Sequence, residues 1–181
     1  MELLKEKKNK IFNLMKADFG YKNVMQTPKI EKIVVSVGTG STVDKKKVEL
    51  MEDRLRKITG QKPSVRKAKQ SIAAFKLREG SDVGFQITLR GSRMSSFFDK
   101  IVNMALPRTK DFRGLSKKGV DEMGNYTLGI KDHTIFTEAA DEELKNVFGM
   151  SVTIVTSAKT KEEAIALLTN LGWPFKKEKV A

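Results

Sequence analysis

The chain has 181 residues, and its 35 lysines and arginines outnumber its 22 aspartates and glutamates, which gives a formal net charge of +13. This positive excess indicates a polyanionic partner, and nucleic acid fits it better than an acidic membrane. The absence of cysteine excludes disulfides and thiolate zinc sites, and the single histidine, His133, cannot form a metal-binding cluster. The first 20 residues lack the apolar core of a signal peptide, and no run approaches the about 18 apolar residues that span a bilayer. We therefore expect a cytoplasmic protein without cofactor or metal.

The first 40 residues predict a helix followed by a strand. Residues 2–18 carry spaced apolar side chains among lysines, which is typical of a moderately amphipathic helix, and we assign an N-terminal helix within residues 1–20. Residues 30–37 follow a proline and are rich in Val and Ile, which favours a β-strand. We expect these elements to begin one domain that spans residues 1–181.

A second helix is predicted over residues 45–59. Asp44 is a suitable N-cap, Gly60 stands at the C-cap position, and apolar residues recur at spacings of three and four. The resulting apolar stripe consists of Val48, Met51, Leu55 and Ile58. Residues 63–78 then predict a short strand, a loop and a further strand.

Residues 83–90 form the clearest strand because apolar and polar positions alternate strictly. One side of the strand carries Val83, Phe85, Ile87 and Leu89, and the other carries Gly84, Gln86, Thr88 and Arg90. Such alternation indicates a sheet with one buried and one solvated face, which antiparallel sheets allow. If strand 30–37 belongs to the same sheet, Ser36 shares the solvated face with Thr88.

The remainder of the chain predicts two helices, two strands and a long loop. A helix covers residues 92–105, a Gly- and Lys-rich loop follows over 108–125, and strands occupy 126–131 and 152–156. Residues 160–163 form a capping box that opens the last helix. The whole pattern predicts an α+β fold, an antiparallel sheet with helices packed on one face and the other face open.

Cationic residues concentrate between positions 54 and 78, where no acidic residue interrupts them. The stretch contains Arg54, Arg56, Lys57, Lys62, Arg66, Lys67, Lys69, Lys76 and Arg78. It crosses a helix end, a turn and a strand, so solvation of one helix face does not account for it. Because phosphates attract such a surface through counterion release, we interpret the stretch as an RNA-binding surface.

Residues 66–80 form a basic extended loop within this stretch. Its small side chains allow a close approach of the backbone to RNA, and its cations then reach phosphates on either side. Two interpretations of Phe75 stay open. The ring stacks on a base, or it is buried in the core, and burial statistics favour the second by about two to one.

Two other classes of protein fit the sequence less well. An RNA-processing hydrolase would use carboxylates late in the chain, but Asp141, Glu142 and Glu143 are consecutive and would point in different directions from a helix. None of them lies in the basic stretch, where a nuclease would need them. A membrane-surface protein would bind through the N-terminal helix, whose apolar face is thin and has no Trp. We expect a binding protein and not an enzyme, with the hydrolase as the alternative.

Seven segments, in this order, resemble the ribosomal protein L5 family of the bacterial large subunit. They are PKIEKIVVSVGTG at 28–40, ITGQKP at 58–63, RKAKQSIAAFKLREG at 66–80, ITLRGSRM at 87–94, ALPRTKDFRG at 105–114, GNYTLGI at 124–130 and TSAKTKEEAIALL at 156–168. Together they cover about residues 20 to 175. The combination of ITGQKP with ALPR-x-x-DFRG is quite specific.

The resemblance implies a structural protein that docks on 5S and 23S ribosomal RNA in the central protuberance. The family's 5S-binding positions correspond to Gln61 and Thr88, with Lys62 and Arg90 near them in sequence, and to Ser36, where the family usually has Asn. Serine keeps a short hydrogen-bonding group but loses the amide.

The resemblance also implies contacts beyond 5S RNA. The basic loop would reach the transfer RNA in the peptidyl site (P-site) through Arg66, Lys67, Lys69, Gln70, Ser71, Lys76 and Arg78. Other 5S-binding large-subunit proteins would be neighbours. A protein of the small-subunit head would be met across an intersubunit bridge, to which the sequence assigns no residues.

Overall fold

The computed structural model describes residues 4–40, 45–75, 77–139 and 147–176. In chain order the elements are α1 (Leu4–Phe19), β1 (Ile30–Gly38), α2 (Lys45–Thr59), β2 (Ser64–Lys67), β3 (Asp82–Leu89), α3 (Gly91–Lys100), β4 (Tyr126–Ile130), β5 (Met150–Thr156) and α4 (Lys161–Leu171). The strands form one antiparallel sheet in the order β2-β3-β1-β5-β4. The predicted α+β class is therefore confirmed. Within the described ranges, no helix is long and apolar enough to cross a membrane.

The chain divides into two compact units. Unit 1 comprises residues 1–33, 89–128 and 153–181, and unit 2 comprises residues 34–88 and 129–152. In unit 1, α1 packs against α4 and α3 and buries Ile11 and Met15. An aromatic cluster completes this core, with the Trp173 ring 5.4 Å from Phe98 and 5.5 Å from Tyr126 between centroids.

Helix α2 supplies apolar side chains to the core of unit 2. Met51, Leu55 and Ile58 are buried and Val48 is half-buried, which confirms the predicted stripe. Gly60 has φ +69° and its N–H donates to the carbonyl of Arg56 at 2.8 Å, so the helix ends with the left-handed residue that its sequence predicts. The predicted N-cap, Asp44, lies outside the described residues.

Strands β1 and β3 each have one buried and one partly solvated face. On β3, Phe85, Ile87 and Leu89 are buried while Gln86 and Thr88 are half-exposed, which confirms the predicted alternation from Phe85 onward. At the start of the strand the prediction is wrong, because Val83 is only half-buried and Gly84 is buried. The two strands approach closely at Gly84, where an added Cβ atom would lie 2.5 Å from the carbonyl oxygen of Val37. No residue larger than glycine fits at this point without moving a strand.

Two predicted elements differ in detail from the structure. The helix predicted over 92–105 is regular only to Lys100, and Ile101–Ala105 continues it as a π-helical turn before the 3-10 turn Leu106–Arg108. At the start of α4, Thr160 Oγ1 accepts from the Glu163 N–H at 3.3 Å, as a capping box requires. In a capping box the Glu163 side chain would also accept from the N–H of Thr160. Here the Glu163 carboxylate accepts instead from the Lys159 N–H and from the Tyr21 hydroxyl.

The single histidine packs inside unit 2. The ring of His133 is buried and stacks on Phe148 at 4.1 Å between centroids, and its Nδ1 accepts from the Phe148 N–H at 3.3 Å. Burial is the largest influence on the pKa of His133 and lowers it, and the nearby guanidinium of Arg54 acts in the same direction, whereas a backbone hydrogen bond at Phe148 and the charge of Asp132 act against them. His133 is therefore neutral in the folded protein near neutral pH.

Acidification should destabilise the protein through His133. The unfolded chain takes up a proton near pH 6.5, whereas the folded chain takes one up only at lower pH. The free energy of unfolding should thus be greatest above that pH and fall as the pH is lowered towards the folded pKa. Denaturant unfolding at a series of pH values measures this slope. The variant His133→Asn should lose the part of this pH dependence that His133 causes. An equal slope in both proteins would contradict the assignment of the effect to His133.

Candidate nucleic-acid interface

The partly solvated sheet face of unit 2 carries a row of small polar side chains. The Thr39 N–H donates to the Val83 carbonyl at 2.9 Å, and antiparallel pairing continued from there brings Ser36 beside Gln86. On the other side of β3, Ser64 is the register partner of Gln86. Ser151 of β5 extends the row, because its hydroxyl donates to the Ser36 carbonyl at 3.5 Å. We name Ser64, Gln86, Ser36, Ser151 and Thr88 the polar platform.

Ser36 and Thr88 offer their hydroxyl groups on this platform. Both side chains are half-exposed. In the described part of the chain, neither hydroxyl has a hydrogen-bond partner. A hydroxyl can donate and accept, so these two groups suit the 2′-hydroxyl and phosphate oxygens of RNA.

The turn after α2 brings Gln61 next to Thr88. Thr59 Oγ1 donates to the Leu55 carbonyl at 2.6 Å and accepts from the Gln61 N–H at 3.4 Å, which holds the turn against the helix end. The Gln61 side-chain amide then donates to the Thr88 carbonyl at 3.4 Å. Two of the sequence-predicted site residues, 27 positions apart, therefore lie together at the end of β3.

Lys62 and Arg90, the two cations predicted at the site, do not take part in the contact between Gln61 and Thr88. Lys62 is 78% exposed, and its Nζ lies 3.8 Å from a carboxylate oxygen of Glu52. Arg90 is exposed at the N-cap position of α3 and makes no side-chain capping bond. Arg90 belongs to unit 1, whereas the polar platform, Gln61 and Lys62 belong to unit 2.

The basic loop is an ordered hairpin between β2 and β3, which we name the cationic hairpin (residues 66–80). Arg66 is paired in register with Gly84, and Lys67 with Asp82 across a bulge. Further along, the Gly80 N–H donates to the Ala68 carbonyl at 3.0 Å, and the Ser71 hydroxyl accepts from the Glu79 N–H at 2.9 Å. An antiparallel bridge between Ile72 and Leu77 closes the tip. These hydrogen bonds fix the path of the hairpin backbone, from which the exposed side chains project.

The cations of the hairpin and those of α2 have different surroundings. Arg66, Lys67, Lys69 and Arg78 are exposed and, in the described residues, form no ion pair. Gln70 and Ser71 are exposed between them, and Lys76 lies outside the described residues. In α2, by contrast, Asp53 lies 2.9 Å from Lys57 and 3.9 Å from Arg54. The stretch that is free of acids along the sequence is therefore partly neutralised in space at its helical end.

The aromatic ring at the hairpin tip is exposed. Phe75 has 71% of its surface accessible and Ile72 has 42%. Phe75 lies in the 3-10 turn Ala73–Phe75, which has no buried residue, because no element that the structure describes covers the tip. The expectation that Phe75 is buried is therefore wrong, and the ring is available for stacking.

Sequence reasoning missed part of the platform. The sequence prediction does not include Ser151 because it starts the strand at residue 152, whereas β5 begins at Met150. Alternation of the buried residues Met150, Val152 and Ile154 would have assigned Ser151 to the polar face. Gln86 was placed on the correct face but was not assigned to the site.

An open sheet face with available hydroxyls, beside a cationic hairpin with an exposed aromatic tip, is typical of structural proteins that bind folded RNA. Among the residues with described coordinates, no group of three His, Asp or Glu side chains could hold a metal ion. Of the carboxylates proposed for a hydrolase, Asp141, Glu142 and Glu143 lie outside those residues.

Comparison with known proteins gives the family. Residues 23–78 match the family described as ribosomal protein L5, and residues 82–175 match the C-terminal region of the same ribosomal family. The large ribosomal subunit protein uL5 of Macrococcus caseolyticus (strain JCSC5402) is 52% identical over 179 residues, which cover 98% of this chain and the whole of that protein. The chain belongs to the ribosomal protein L5 family. It is a structural component of the large subunit in the cytoplasmic ribosome and not an enzyme.

Proposed function

We propose that the polar platform binds 5S ribosomal RNA, with Ser36, Thr88 and Gln61 as its principal contacts and Lys62 as a flanking cation, and that Arg90 of unit 1 is a further contact to the same RNA. The observation that carries the proposal is the pair of half-exposed hydroxyls, Ser36 and Thr88, that have no partner within the described residues. RNA helices are recognised through 2′-hydroxyls and phosphates, which match such groups.

The cationic hairpin contacts a second RNA, the P-site transfer RNA. Its four described cations are exposed and without ion pairs, so they are available for phosphates. Phe75 adds an exposed ring between them that can stack on an unpaired base. The ladder that orders the hairpin reduces the entropy lost when these groups bind.

Three further partners complete the proposal. The chain also binds 23S ribosomal RNA, adjoins other 5S-binding proteins in the central protuberance, and meets a small-subunit head protein across an intersubunit bridge. The net charge of +13 supports RNA as the main partner. We assign no residue to the bridge.

Titration of the purified chain with 5S RNA tests the main proposal. Gel-shift curves are recorded with 5S RNA, with a transfer RNA and with random RNA of the length of 5S RNA, each at two salt concentrations. Contacts to non-specific phosphates weaken as salt rises, whereas hydrogen bonds to a matched surface weaken less. The preference for 5S over random RNA should therefore grow at the higher salt. Equal affinity for 5S and random RNA at both concentrations would contradict the proposal.

A further inference from the structure

An apolar groove with a volume of about 290 Å³ lies in unit 1, where α1, α4 and residues 24–30 meet. We name it the α1–α4 groove. Its apolar lining includes Ile11 and Phe12 from α1, Leu167 and Leu171 from α4, and Val24 and Pro28 from the chain that leads into β1. A concave apolar surface of this kind is the usual form of a site that receives an apolar group.

A capped 3-10 turn holds two apolar side chains in solvent beside the groove. Val24 lines the groove although 62% of its surface is accessible, and the adjacent Met25 is 92% exposed. The Asn23 side-chain oxygen accepts from the Met25 N–H at 3.0 Å, and the Gln26 side-chain oxygen accepts from the Asn23 N–H at 3.2 Å. The turn is therefore fixed by its own hydrogen bonds, and it adds exposed apolar surface to the groove. Contiguous apolar surface of this kind is typical of interaction sites.

Backbone hydrogen bonds also fix the wall of the groove at residues 27–30. The Lys29 N–H donates to the Ser157 hydroxyl at 3.0 Å, and the Ser157 N–H donates to the Lys29 carbonyl at 2.9 Å. The two helices that form the rest of the groove pack directly on each other. The groove is therefore formed before any partner binds, which reduces the entropy lost on binding.

The charged groups at the α1–α4 groove are positive. Lys29 lines the groove and is exposed, and the Lys16 ammonium lies 5.7 Å from the centroid of the Phe12 ring. Neither lysine forms an ion pair with a residue that the structure describes. Asp18 and Glu31 are the acidic residues nearest to them along the sequence, and neither of these lines the groove. An apolar group that carries negative charge therefore complements this site.

We infer that the α1–α4 groove docks an acidic, amphipathic segment of a partner protein, which inserts an apolar side chain and pairs its carboxylates with Lys16 and Lys29. An apolar centre with charges at the rim is the usual composition of a protein interface. A second copy of this chain fits less well, because each copy carries a net charge of +13 and like charges repel. The inference does not depend on the proposed RNA contacts of the polar platform and the cationic hairpin, which belong to unit 2.

Fluorescence anisotropy of labelled peptides added to the full chain tests this inference. The probe is a short helical peptide with two leucines one turn apart on a background of glutamate and alanine. One reference peptide has lysine in place of every glutamate, and a second has serine in place of both leucines. The probe should bind at least about tenfold more tightly than either reference, because it alone supplies both the apolar contact and the complementary charge.

Substitution at the groove should remove this binding. Val24→Glu replaces an apolar contact by a carboxylate that repels the probe, and the affinity should fall by about tenfold or more. The matched control is Met123→Glu, which makes the same kind of change at a side chain of unit 1 that is 73% exposed and does not line the groove. The control should bind the probe as the unchanged protein does. Both substituted side chains are exposed, and thermal unfolding verifies that the fold survives.

Four outcomes would overturn the inference. Equal affinity for the probe and either reference peptide would remove the role of charge or that of the apolar contact. Equal effects of Val24→Glu and Met123→Glu would show that the probe binds elsewhere. A dimer in sedimentation of the free chain that Val24→Glu abolishes would assign the groove to a second copy, and displacement of the probe by random RNA would assign the binding surface to RNA.

The 5S RNA titration separates this inference from the proposed function. Val24→Glu should bind 5S RNA with the same affinity as Met123→Glu, because neither residue belongs to the polar platform. Normal 5S binding without binding of the probe would refute the groove alone. Binding of the probe without a preference for 5S RNA would refute the proposed function alone.

Discussion

Replacement of Thr88 by valine should weaken 5S RNA binding by roughly tenfold to a hundredfold. Valine keeps the shape of the side chain and removes the hydroxyl, so an RNA group that it contacts is left without a partner, at a cost of about 1–3 kcal/mol. Gln61→Ala should cause a similar loss, because the Gln61 amide lies against the Thr88 carbonyl at the same end of β3. Gel-shift titration with 5S RNA measures both.

The control for this prediction is Thr169→Val. Thr169 is exposed on α4, and its hydroxyl donates to the Ile165 carbonyl of its own helix, so the same chemical change is made away from the platform. The control should bind 5S RNA as the unchanged protein does. Thermal unfolding of each variant verifies that the fold survives. Unchanged 5S affinity in both Thr88→Val and Gln61→Ala would refute the assignment of the site.

Neutralising the hairpin with Lys67→Gln/Lys69→Gln should speed the dissociation of P-site transfer RNA from assembled ribosomes by roughly fivefold or more. This corresponds to about 1 kcal/mol for two exposed charge contacts. The affinity for 5S RNA should stay within twofold or so of its original value, because neither lysine belongs to the polar platform. Rates are measured with labelled transfer RNA at fixed magnesium.

The matched control is Lys131→Gln/Lys161→Gln, which removes two exposed lysines elsewhere. Ribosomes with the control protein should release transfer RNA at the normal rate. A loss of 5S affinity as large as the effect on transfer RNA would place the hairpin on the wrong RNA. The salt dependence of the transfer RNA dissociation rate provides a further measure. It should be shallower for the hairpin variant, because fewer phosphate contacts are lost on dissociation.

Patterns within single elements could be predicted from the sequence because their causes are local. The apolar spacing of α2 and the alternation of β3 follow from periods of 3.6 and 2 residues, and each requires only the residues of its own element. For the same reason, the half-exposed side of β3 was identified together with Thr88. The resemblance to the L5 family rested on segments spread over most of the chain, and the comparisons confirmed it.

Burial was less accessible because it depends on what packs over a residue. Burial statistics favour Phe75 in the core, but no element that the structure describes covers the hairpin tip. The pairing of Lys57 with Asp53 is different, because a spacing of four residues in a predicted helix already places the two side chains on one face. The covering of Phe75 is therefore the relation that distances along the sequence do not report.

By itself the sequence determined the fold class, the helical stripe, the two-faced strand, the cationic stretch and the family. Only the tertiary structure decided which polar groups stand together: Gln61 against Thr88, Ser64 in register with Gln86, and Ser151 bonded to Ser36. The reason is physical. Periodicity acts within one element and sets which face a side chain takes, whereas strand order and register are set by packing among residues far apart in the chain.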